Sequence, residues 1–537
     1  MTKNANEEQK ILTTFAHKLQ KLYIANLNNQ TKPHLFYMKR LFAIIATVIL
    51  QASLFCLHTL ALDLPDIICS DMMLQQRTDA KLWGWAKAGS TVEVQPSWDM
   101  KVYKATAASD GRWEVKVKTP YASYDTHSIT IKGDGETHVI KNVLIGEVWF
   151  CSGQSNMEMP IGGFWNCPVE GANEAIATAN KYKKSIRCAT IEHTGADTPQ
   201  LKAKGGWKVC NTANVSSFSA CGYFFARTLT DILDVPVGII NCSWGGSCVE
   251  GWLPKDILLT YPDGLTPMDD ADYHKKMIMY NGMLHPLAGY TIKGFLWNQG
   301  ESNVGREKEY IDRFITMTNL WRKMWDQPGD KLPMYTVELP PYDYGDINGD
   351  WGAKFREAQH TIAHTLENSG CVCTSDLIYD YEPTQVHGTK KLEIGQRLAY
   401  MAATRDYNIK GIAAEAPEFD HMKTVDANSG ELEVIAGTAV AQKRPSKGKV
   451  TYLYFKNGND GFSRLDNIQG FEAAGADGKF YPAVVWAGSD SQGCLLKLVC
   501  PKVADVKHVR YCFKNFIPGK LHGMRGLPVV PFRTDNF

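Results

Sequence analysis

Between residues 141 and 410, short apolar runs alternate with longer segments that have the periodicity of amphipathic helices. Strands are predicted at Val143–Phe150, Pro236–Asn241, Ile292–Trp297, Met334–Glu338 and Cys371–Thr374. Helices are predicted at Ser219–Leu233, Lys308–Trp325, Ala353–Glu367 and Thr389–Arg405. Strands that alternate with helices in this way form a parallel sheet covered by helices on both faces. The pattern therefore predicts an α/β domain over residues 141–410.

The sequence on either side of this domain has β character. Residues 62–140 contain alternating apolar and polar runs separated by turn signals such as Asp110-Gly111, which indicates antiparallel strands. After residue 410 no helix is predicted, and strands are predicted at Leu432–Ile435, Val450–Phe455, Phe480–Trp486, Cys494–Val499 and Val509–Phe513. Because 537 residues exceed what a single core usually contains, we predict sandwich-like β domains at 62–140 and 411–537, flanking the α/β domain.

The first 61 residues are interpreted as lying outside the fold. Met38-Lys39-Arg40 precedes the apolar run Leu41–Leu62, and this is the layout of a secretory signal peptide, placed at residues 38–61. The run is also long enough to be a membrane anchor. We expect an exported protein, periplasmic or extracellular, without stable membrane insertion after the signal is removed. Residues 1–37 are interpreted as an unstructured upstream extension, so that the true start is Met1 or Met38.

Several classes of partner and cofactor have no support in the sequence. The formal net charge is +1, which provides no basic field for a nucleic acid. There is no dinucleotide-binding fingerprint, no phosphate-binding Gly-x-x-x-x-Gly-Lys-Ser/Thr loop and no paired set of metal ligands. We therefore predict neither a cofactor nor a metal ion. Fourteen cysteines are too few for a disulfide scaffold, and their pairing cannot be deduced from the sequence.

The first candidate for chemistry is Ser155, which follows the apolar run Val143–Phe150 within the turn Ser152-Gly153-Gln154-Ser155-Asn156. A serine exposed at the carboxyl end of a buried strand is where α/β enzymes place a nucleophile. A serine in a glycine-containing turn is more often a turn residue only. A base would be needed nearby, and His387, in the loop before the helix Thr389–Arg405, is the candidate. Its rivals are His285, His360 and His364.

Two further polar turns follow predicted strands. The first is Asn241-Cys242-Ser243-Trp244-Gly245-Gly246-Ser247, whose glycines can present a bare backbone N–H to a ligand. The second is Trp297-Asn298-Gln299-Gly300-Glu301-Ser302-Asn303, which offers a side-chain amide. Because the carboxyl ends of parallel strands share one edge of a sheet, we expect these turns to lie beside Ser155 and His387.

Taken together, these motifs resemble the SGNH/GDSL-type hydrolases and, more narrowly, the sialate O-acetylesterases and related carbohydrate acetylesterases. The resemblance covers roughly residues 64–537 and implies that the α/β domain is a three-layer SGNH-type hydrolase domain. It depends on the motifs Gly153-Gln154-Ser155-Asn156, Trp244-Gly245-Gly246-Ser247, Gln299-Gly300-Glu301-Ser302, Tyr280-Asn281-Gly282-Met283-Leu284-His285-Pro286-Leu287 and Gly395-x-Arg397-Leu398-Ala399.

The resemblance implies a role for each motif. Ser155 attacks an acetyl ester, and His387 takes its proton and later activates water. The backbone N–H groups of Ser155 and Gly246 (less favoured, Gly245), with the amide of Gln299, hold the oxyanion. Glu301 is interpreted as a structural brace of its turn. Arg356 is a speculative partner for the carboxylate of a sialic acid.

One position departs from the family pattern. Many relatives have an aspartate two or three residues before the histidine, which orients the imidazole. Here those positions are Thr384 and Gln385, and neither can be an anion. We expect a Ser–His dyad in which the carbonyl oxygen of Gln385 orients His387. The alternative is a carboxylate from elsewhere, with the candidates Asp376, Asp380 and Glu382.

The leading prediction is an exported carbohydrate O-acetylesterase that removes 9-O-acetyl groups from sialic acids through an acyl-enzyme. An acetylesterase acting on xylan or another polysaccharide is the first alternative, since the same scaffold serves both. A non-catalytic glycan-binding protein is the second, and a lipase or thioesterase the third. A lipase would need a broad apolar acyl tunnel, which the polar, tryptophan-rich turns do not favour.

Overall fold

The structure, a computed structural model, describes residues 62–327, 331–438, 447–463, 465 and 468–536. The predicted upstream extension and signal peptide lie outside these residues. No helix in the described ranges is both long and apolar enough to cross a membrane. The α-helices in these ranges are Ser155–Glu158 (α1), Ala172–Thr178 (α2), Ala220–Leu233 (α3), Lys255–Leu258 (α4), Glu307–Trp325 (α5), Trp351–Thr365 (α6), Lys391–Arg405 (α7) and Ser429–Thr438 (α8).

The strands fall into an N-terminal, a central and a C-terminal group. The first group is Met73–Gln75 (β1), Asp79–Trp85 (β2), Thr91–Pro96 (β3), Tyr103–Thr106 (β4), Arg112–Lys118 (β5), Ser123–Gly133 (β6) and Glu136–Gly153 (β7). The central group is Ile186–Ile191 (β8), Gly205–Val209 (β9), Val237–Ser243 (β10), Gly294–Asn298 (β11), Met334–Val337 (β12) and Ser369–Val372 (β13). The last group is Glu418–Asp426 (β14), Lys449–Lys456 (β15), Phe462–Ser463 (β16), Phe471–Ala474 (β17), Phe480–Pro482 (β18), Val484–Asp490 (β19), Gly493–Val499 (β20), His508–Tyr511 (β21), His522–Gly523 (β22) and Phe532–Arg533 (β23).

The central sheet has the strand order β13-β12-β11-β7-β10-β8-β9. Every neighbouring pair in it is parallel except β8 with β9. The five strands and four helices predicted for residues 141–410 are all present, with bounds shifted by a few residues. The structure adds β8, β9 and the short helices α1, α2 and α4, which the sequence analysis did not identify.

Side chains on β7 alternate between the two faces of this sheet. Trp149 and Cys151 lie in a core cluster with residues of α3 and α7. Phe150 points to the other face, where its ring centroid is 5.2 Å from that of Trp325 in α5. On the first face, Gly395 of α7 allows close contact with α3, because an added Cβ would lie 2.6 Å from the backbone nitrogen of Phe225. Helices therefore cover both faces, as the alternation of strands and helices predicts.

Strand β7 also extends the central sheet into the N-terminal β region. Its first part pairs with β6 and β1, and its part from Glu147 onward pairs with β10. Every residue from Val143 to Gly153 is buried, which explains why this run has no polar alternation. The predicted domain boundary at 140/141 falls within this strand. The division into three domains stays a prediction.

One prediction for the C-terminal region is wrong. Residues Leu432–Ile435, predicted as a strand, lie in helix α8. The Asn428 side chain accepts a hydrogen bond from the backbone N–H of Glu431, and the Glu431 carboxylate accepts one from the N–H of Asn428, both at 2.9 Å. This reciprocal pair is a capping box, which starts a helix and was overlooked in favour of the apolar pattern. The rest of the region is β-rich, with sheets β14-β15-β20-β19 and β18-β17-β21-β23.

Candidate active site

Ser155 stands at the point where β7 turns into α1, as expected from the sequence. Gly153, the last residue of β7, has a φ of +136°, and a Cβ there would lie 2.1 Å from the carbonyl oxygen of Asn298 in β11. Only glycine permits this close contact between the ends of two strands. The next residue, Gln154, donates its backbone N–H to the same Asn298 oxygen at 3.0 Å. Ser155 is therefore presented, half-buried, from a fixed strand end.

The side chain of Asn156 joins this turn to the loop that carries His387. Its Nδ2 donates to the carbonyl oxygen of Val386 at 3.0 Å and to the carboxylate of Glu301. Its Oδ1 accepts from Nζ of Lys391, the first residue of α7, at 2.5 Å. Asn156 follows Ser155 in the chain, and Val386 precedes His387, so the Asn156–Val386 bond joins the neighbours of the two candidate residues. The network therefore brings the predicted nucleophile and the predicted base to one edge of the sheet.

The surroundings of His387 favour a neutral imidazole. The residue is half-buried, and burial together with the positive charge of Lys391 lowers its pKa below the usual value, while Glu158 opposes this with a smaller effect. The ring packs edge-on against Phe164, with centroids 5.3 Å apart. A histidine whose pKa is lowered remains unprotonated at neutral pH and can accept a proton from a serine.

The structure corrects the predicted partner of the imidazole. The side-chain oxygen Oε1 of Gln385 accepts from the backbone N–H of His387 at 3.2 Å and does not bond to the ring. The atom beside Nδ1 is Sγ of Cys167, at 3.7 Å, and this sulfur lies 3.6 Å from Oε1 of Gln385. A thiol thus lies between the amide and the ring. Sequence reasoning missed Cys167 because it is 220 residues from His387 in the chain.

The three carboxylates considered as alternatives have other partners. Asp376 binds Arg397 at 2.7 Å and Nε2 of His522 at 2.9 Å. Asp380 pairs with Lys520 at 2.5 Å, and Glu382 accepts from the backbone N–H of Tyr379. None of these contacts involves His387. The carboxylate that raises the pKa of the His387 imidazole is Glu158, which lies on the same short helix as Ser155.

Glu158 fixes the glycine turn that follows β10. Its Oε2 accepts from the backbone N–H of Gly245 at 2.5 Å, and its Oε1 pairs with Nε2 of His193 at 3.1 Å. His193 stacks on Trp244 with ring centroids 4.5 Å apart and planes 2° from parallel. The bond to Glu158 raises the pKa of His193. Sequence reasoning did not identify Glu158, although its position three residues after Ser155 places it one helical turn away.

Two backbone donors beside Ser155 are free to hold an oxyanion. Within the described residues no acceptor takes the N–H of Ser155 or that of Gly246, whereas Gly245 is committed to Glu158. Gly246 has a φ of +77°, a conformation that favours glycine. A Cβ on Gly245 would lie 3.4 Å from Cβ of Ser155, so the turn lies directly against the serine. The predicted preference for Gly246 over Gly245 agrees with this geometry.

Gln299 does not have the geometry of an oxyanion donor. Its side chain is fully buried, and its Nε2 donates to the carbonyl oxygen of Ser247 at 3.1 Å and to Oδ1 of Asn303 at 2.7 Å. Both amide hydrogens are therefore used to hold the two turns together. Glu301, expected to brace its turn, bonds to Asn156, and burial raises the pKa of its carboxyl group.

Arg356 does not line the site. The side chain is 2% exposed and donates to the carbonyl oxygen of Lys514 at 2.5 Å. It contacts the C-terminal segment, and neither Ser155 nor His387 is among its hydrogen-bond partners. The buried guanidinium therefore presents no surface to a substrate carboxylate.

Comparison with known proteins adds to this geometry. Residues 145–404 match the family model described as carbohydrate esterase, sialic acid-specific acetylesterase. This segment, just under half of the chain, is therefore similar to that family. The family range begins within β7 and ends in α7, so it includes Ser155, the two glycine-containing turns and His387.

Individual known proteins are similar to different shares of the chain. Sialate O-acetylesterases of Pongo abelii and Homo sapiens are each 30% identical over 48% of the chain, and the match spans 52% of their length. The chain thus covers about half of these relatives. A crystal structure of a carbohydrate acetylesterase from Xanthomonas citri is 28% identical, with a TM-score of 0.74, and covers 89% of this chain and 100% of that one. The likeness to that esterase extends beyond the family range into the flanking β regions.

Proposed function

We propose that this protein is a serine esterase that hydrolyses O-acetyl groups on sialic acids by way of an acyl-enzyme. The observation that carries the proposal is the Asn156–Val386 hydrogen bond, which joins the Ser155 turn to the loop of His387, a histidine with a lowered pKa, beside two uncommitted backbone N–H groups from separate turns. These are the parts that acyl transfer to a serine needs. The match of residues 145–404 to the carbohydrate esterase family supports the acetyl ester as the bond attacked.

The proposed reaction has two steps. Oγ of Ser155 bonds to the acetyl carbon while His387 takes the hydroxyl proton, and the sugar oxygen leaves with that proton. Water then attacks the acetyl-serine, His387 takes its proton and returns it to Ser155, and acetate is released. In both steps the negative oxygen is held by the N–H groups of Ser155 and Gly246. Each such donor typically contributes about 3 kcal/mol of barrier lowering.

The thiol of Cys167 takes the place of a carboxylate in this scheme. If Nε2 of His387 faces Ser155, Nδ1 carries the hydrogen and donates it to Sγ of Cys167 at 3.7 Å, while the thiol hydrogen points to Oε1 of Gln385 at 3.6 Å. A sulfur acceptor orients the ring and its tautomer. It stabilises the imidazolium less than a carboxylate would, because it carries no charge while protonated. Gln385 therefore acts on the imidazole through Cys167.

A polysaccharide acetylesterase is the second candidate. The Xanthomonas citri protein, similar over most of this chain, is described as a carbohydrate acetylesterase, and buried Arg356 offers nothing to a sialic acid carboxylate. Acetate release from 9-O-acetyl-N-acetylneuraminic acid and from acetylated xylan, measured with Ser155→Ala and His387→Ala as controls, decides between the two. Absence of Ser155-dependent release from either glycan and from 4-nitrophenyl acetate would instead indicate a non-catalytic glycan-binding protein.

We propose further that the protein is exported to the periplasm or beyond the cell. The support is the order of Lys39-Arg40, the apolar run Leu41–Leu62 and the small residue Ala61. Mass spectrometry of the mature amino terminus after fractionation tests this. Cleavage close to Ala61 in an exported fraction is expected, and an intact amino terminus in the cytoplasm contradicts it.

A further inference from the structure

Trp165 is the most exposed tryptophan among the large hydrophobic side chains that the structure describes, with 89% of its surface accessible. Tryptophan is usually well buried, because its indole ring is large and apolar. An indole exposed beside the candidate active site is therefore available to contact a bound ligand.

The turn that carries Trp165 is fixed rather than loose. Phe164 and Cys167 exchange two backbone hydrogen bonds of 3.0 Å, which close a two-residue turn with Trp165 and Asn166 at its tip. Asn166 has a φ of +57°, a conformation that asparagine tolerates well. The side chains of Phe164 and Cys167 pack on the core cluster of the central domain. Trp165 is thus held outward by neighbours that are themselves anchored.

The same turn lies directly against the catalytic histidine. Phe164 contacts the ring of His387, and Cys167 lies beside its Nδ1. Three residues further on, Glu170 donates its backbone N–H to the carbonyl oxygen of Thr389, and its carboxylate accepts from the hydroxyl of Tyr379, both at 2.9 Å. The turn and the His387 loop therefore form one rim of the site, and Trp165 projects from it.

From this placement we infer that Trp165 is a stacking platform for a pyranose ring adjacent to the acetylated sugar, so that the preferred substrate is an acetylated oligosaccharide or longer glycan and not a free monosaccharide. The inference rests on the proposed esterase function. One face of a pyranose presents several C–H groups of slightly positive charge, and the face of an indole is negative, so the two attract while both lose contact with water. A rigid platform adds little ordering cost on binding.

The test compares substrates that differ only in the added sugars. Initial rates of acetate release are measured for 9-O-acetyl-N-acetylneuraminic acid, 9-O-acetylated sialyllactose, acetylated xylose and acetylated xylotetraose, with 4-nitrophenyl acetate as the small ester. The proteins are wild type, Trp165→Ala, Trp165→Tyr and Tyr121→Ala. Tyr121 is 71% exposed and precedes β6, whose first residue, Ser123, pairs with Ile145 in the middle of β7, ten residues before Ser155. Its substitution is therefore a matched loss of an exposed ring away from the site.

The substrates form two series, one of sialic acid and one of xylose. In at least one series, we expect kcat/KM of the wild type to be at least tenfold higher for the oligosaccharide than for the monosaccharide. Trp165→Ala should remove that gain through KM, Trp165→Tyr should keep most of it, and Tyr121→Ala should have no effect. Hydrolysis of 4-nitrophenyl acetate should be unchanged in all three variants. Titration of the Ser155→Ala protein with acetylated xylotetraose and sialyllactose should show the same dependence of binding on Trp165.

Two results would overturn the inference while leaving the proposed function intact. One is equal kcat/KM for the short and long members of both series. The other is an equal loss in Trp165→Ala on every substrate including 4-nitrophenyl acetate, which would mean that the tryptophan only supports the His387 loop. Absence of Ser155-dependent acetate release from all four sugars would contradict the proposed function itself, and the inference with it.

Discussion

Sγ of Cys167 lies 3.7 Å from Nδ1 of His387, where serine hydrolases of this kind commonly place a carboxylate. The cysteine reaches this position from the turn after α1, and the histidine from the loop before α7. Gln385, at the chain position expected for the acid, contacts the sulfur and the backbone instead of the ring. The third member of the site is therefore supplied by a different segment of the chain.

The first prediction concerns this thiol. Cys167→Ala should lower kcat about fivefold with little change in KM, because one hydrogen bond to the imidazole, worth about 1 kcal/mol, is lost. Cys167→Ser should keep most of the activity. Cys167→Asp should shift the acidic limb of the kcat/KM profile to higher pH, since an anion beside the ring raises the pKa of His387. Steady-state kinetics from pH 5 to 9 measure both effects, with Cys494→Ala as a control in β20.

The proposed role of the Cys167 thiol also predicts how substitutions of Gln385, Asp380 and Glu382 affect activity. Gln385→Ala should have a smaller effect than Cys167→Ala, because Gln385 acts through the sulfur. If Gln385→Ala were silent and Asp380→Ala or Glu382→Ala abolished turnover, a carboxylate would have to reach His387 during catalysis, and the thiol scheme would be wrong.

The second prediction concerns the charges on either side of His387. The positive charge of Lys391 lowers the pKa of His387, and the negative charge of Glu158 raises it. A base acts when unprotonated, so activity is lost as the pH falls through its pKa. Lys391→Met should move the acidic limb of kcat/KM to higher pH, and Glu158→Gln should move it to lower pH. Rates well above pH 8 should change much less than rates near pH 6.

Lys390→Met is the matched control for Lys391. Lys390 precedes it in the chain but lies 4.0 Å above the ring of Tyr379, outside the Asn156 network. Circular dichroism and thermal melts must show that each variant is folded, because Lys391 is buried. If Lys391→Met and Glu158→Gln moved the acidic limb of kcat/KM in the same direction, the electrostatic explanation would be wrong.

The third prediction separates bracing from catalysis at Gln299. Since both amide hydrogens hold Ser247 and Asn303, Gln299→Ala should lower the free energy of unfolding by about 1–3 kcal/mol through unpaired buried groups. An oxyanion donor would instead cost a factor of about 10²–10³ in kcat without loss of stability. Urea unfolding and kcat on the same preparation distinguish the two. A large loss of kcat with unchanged unfolding would restore the role expected from the sequence.

The fourth prediction concerns the buried carboxylate of Asp376, which joins Arg397 of α7 to His522 near the C-terminus. Hydrogen bonds from His522 and Arg397 hold the pKa of Asp376 well below its usual value despite burial. Its stabilising contribution is therefore complete above about pH 4, the unfolded pKa of an aspartate, and decreases as the pH falls below that. Asp376→Asn should destabilise the protein at pH 7, by about 3 kcal/mol for a broken buried pair.

The same substitution tests whether Asp376 takes part in the reaction. The pH profile of kcat/KM in folded Asp376→Asn should match the wild type, because Asp376 does not contact His387. Urea unfolding at pH 7 and pH 4 gives the stability difference. A variant that is as stable as the wild type but shows a shifted profile would contradict the structural role.

Much of the central domain could be predicted from the sequence, because local rules determine it. The mainly apolar runs at Val143–Phe150 and Ile292–Trp297 are short and each is followed by small polar turn residues, a pattern that favours buried strands. Helix α8 was not predicted, because its apolar pattern fits a strand as well as a helix. Only the capping box formed by Asn428 and Glu431 identifies the segment as a helix.

The sequence by itself determined the alternating α/β order, the serine and the glycines at the strand ends, and the similarity of residues 145–404 to a carbohydrate esterase family. These features depend on neighbours in the chain. Only the tertiary structure decided that Cys167 stands beside His387, that Gln299 is committed to two turns, and that Asn156 joins Lys391 to Glu301. Such contacts join residues dozens to hundreds of positions apart, and their hydrogen-bond partners are set by packing, which no local pattern records.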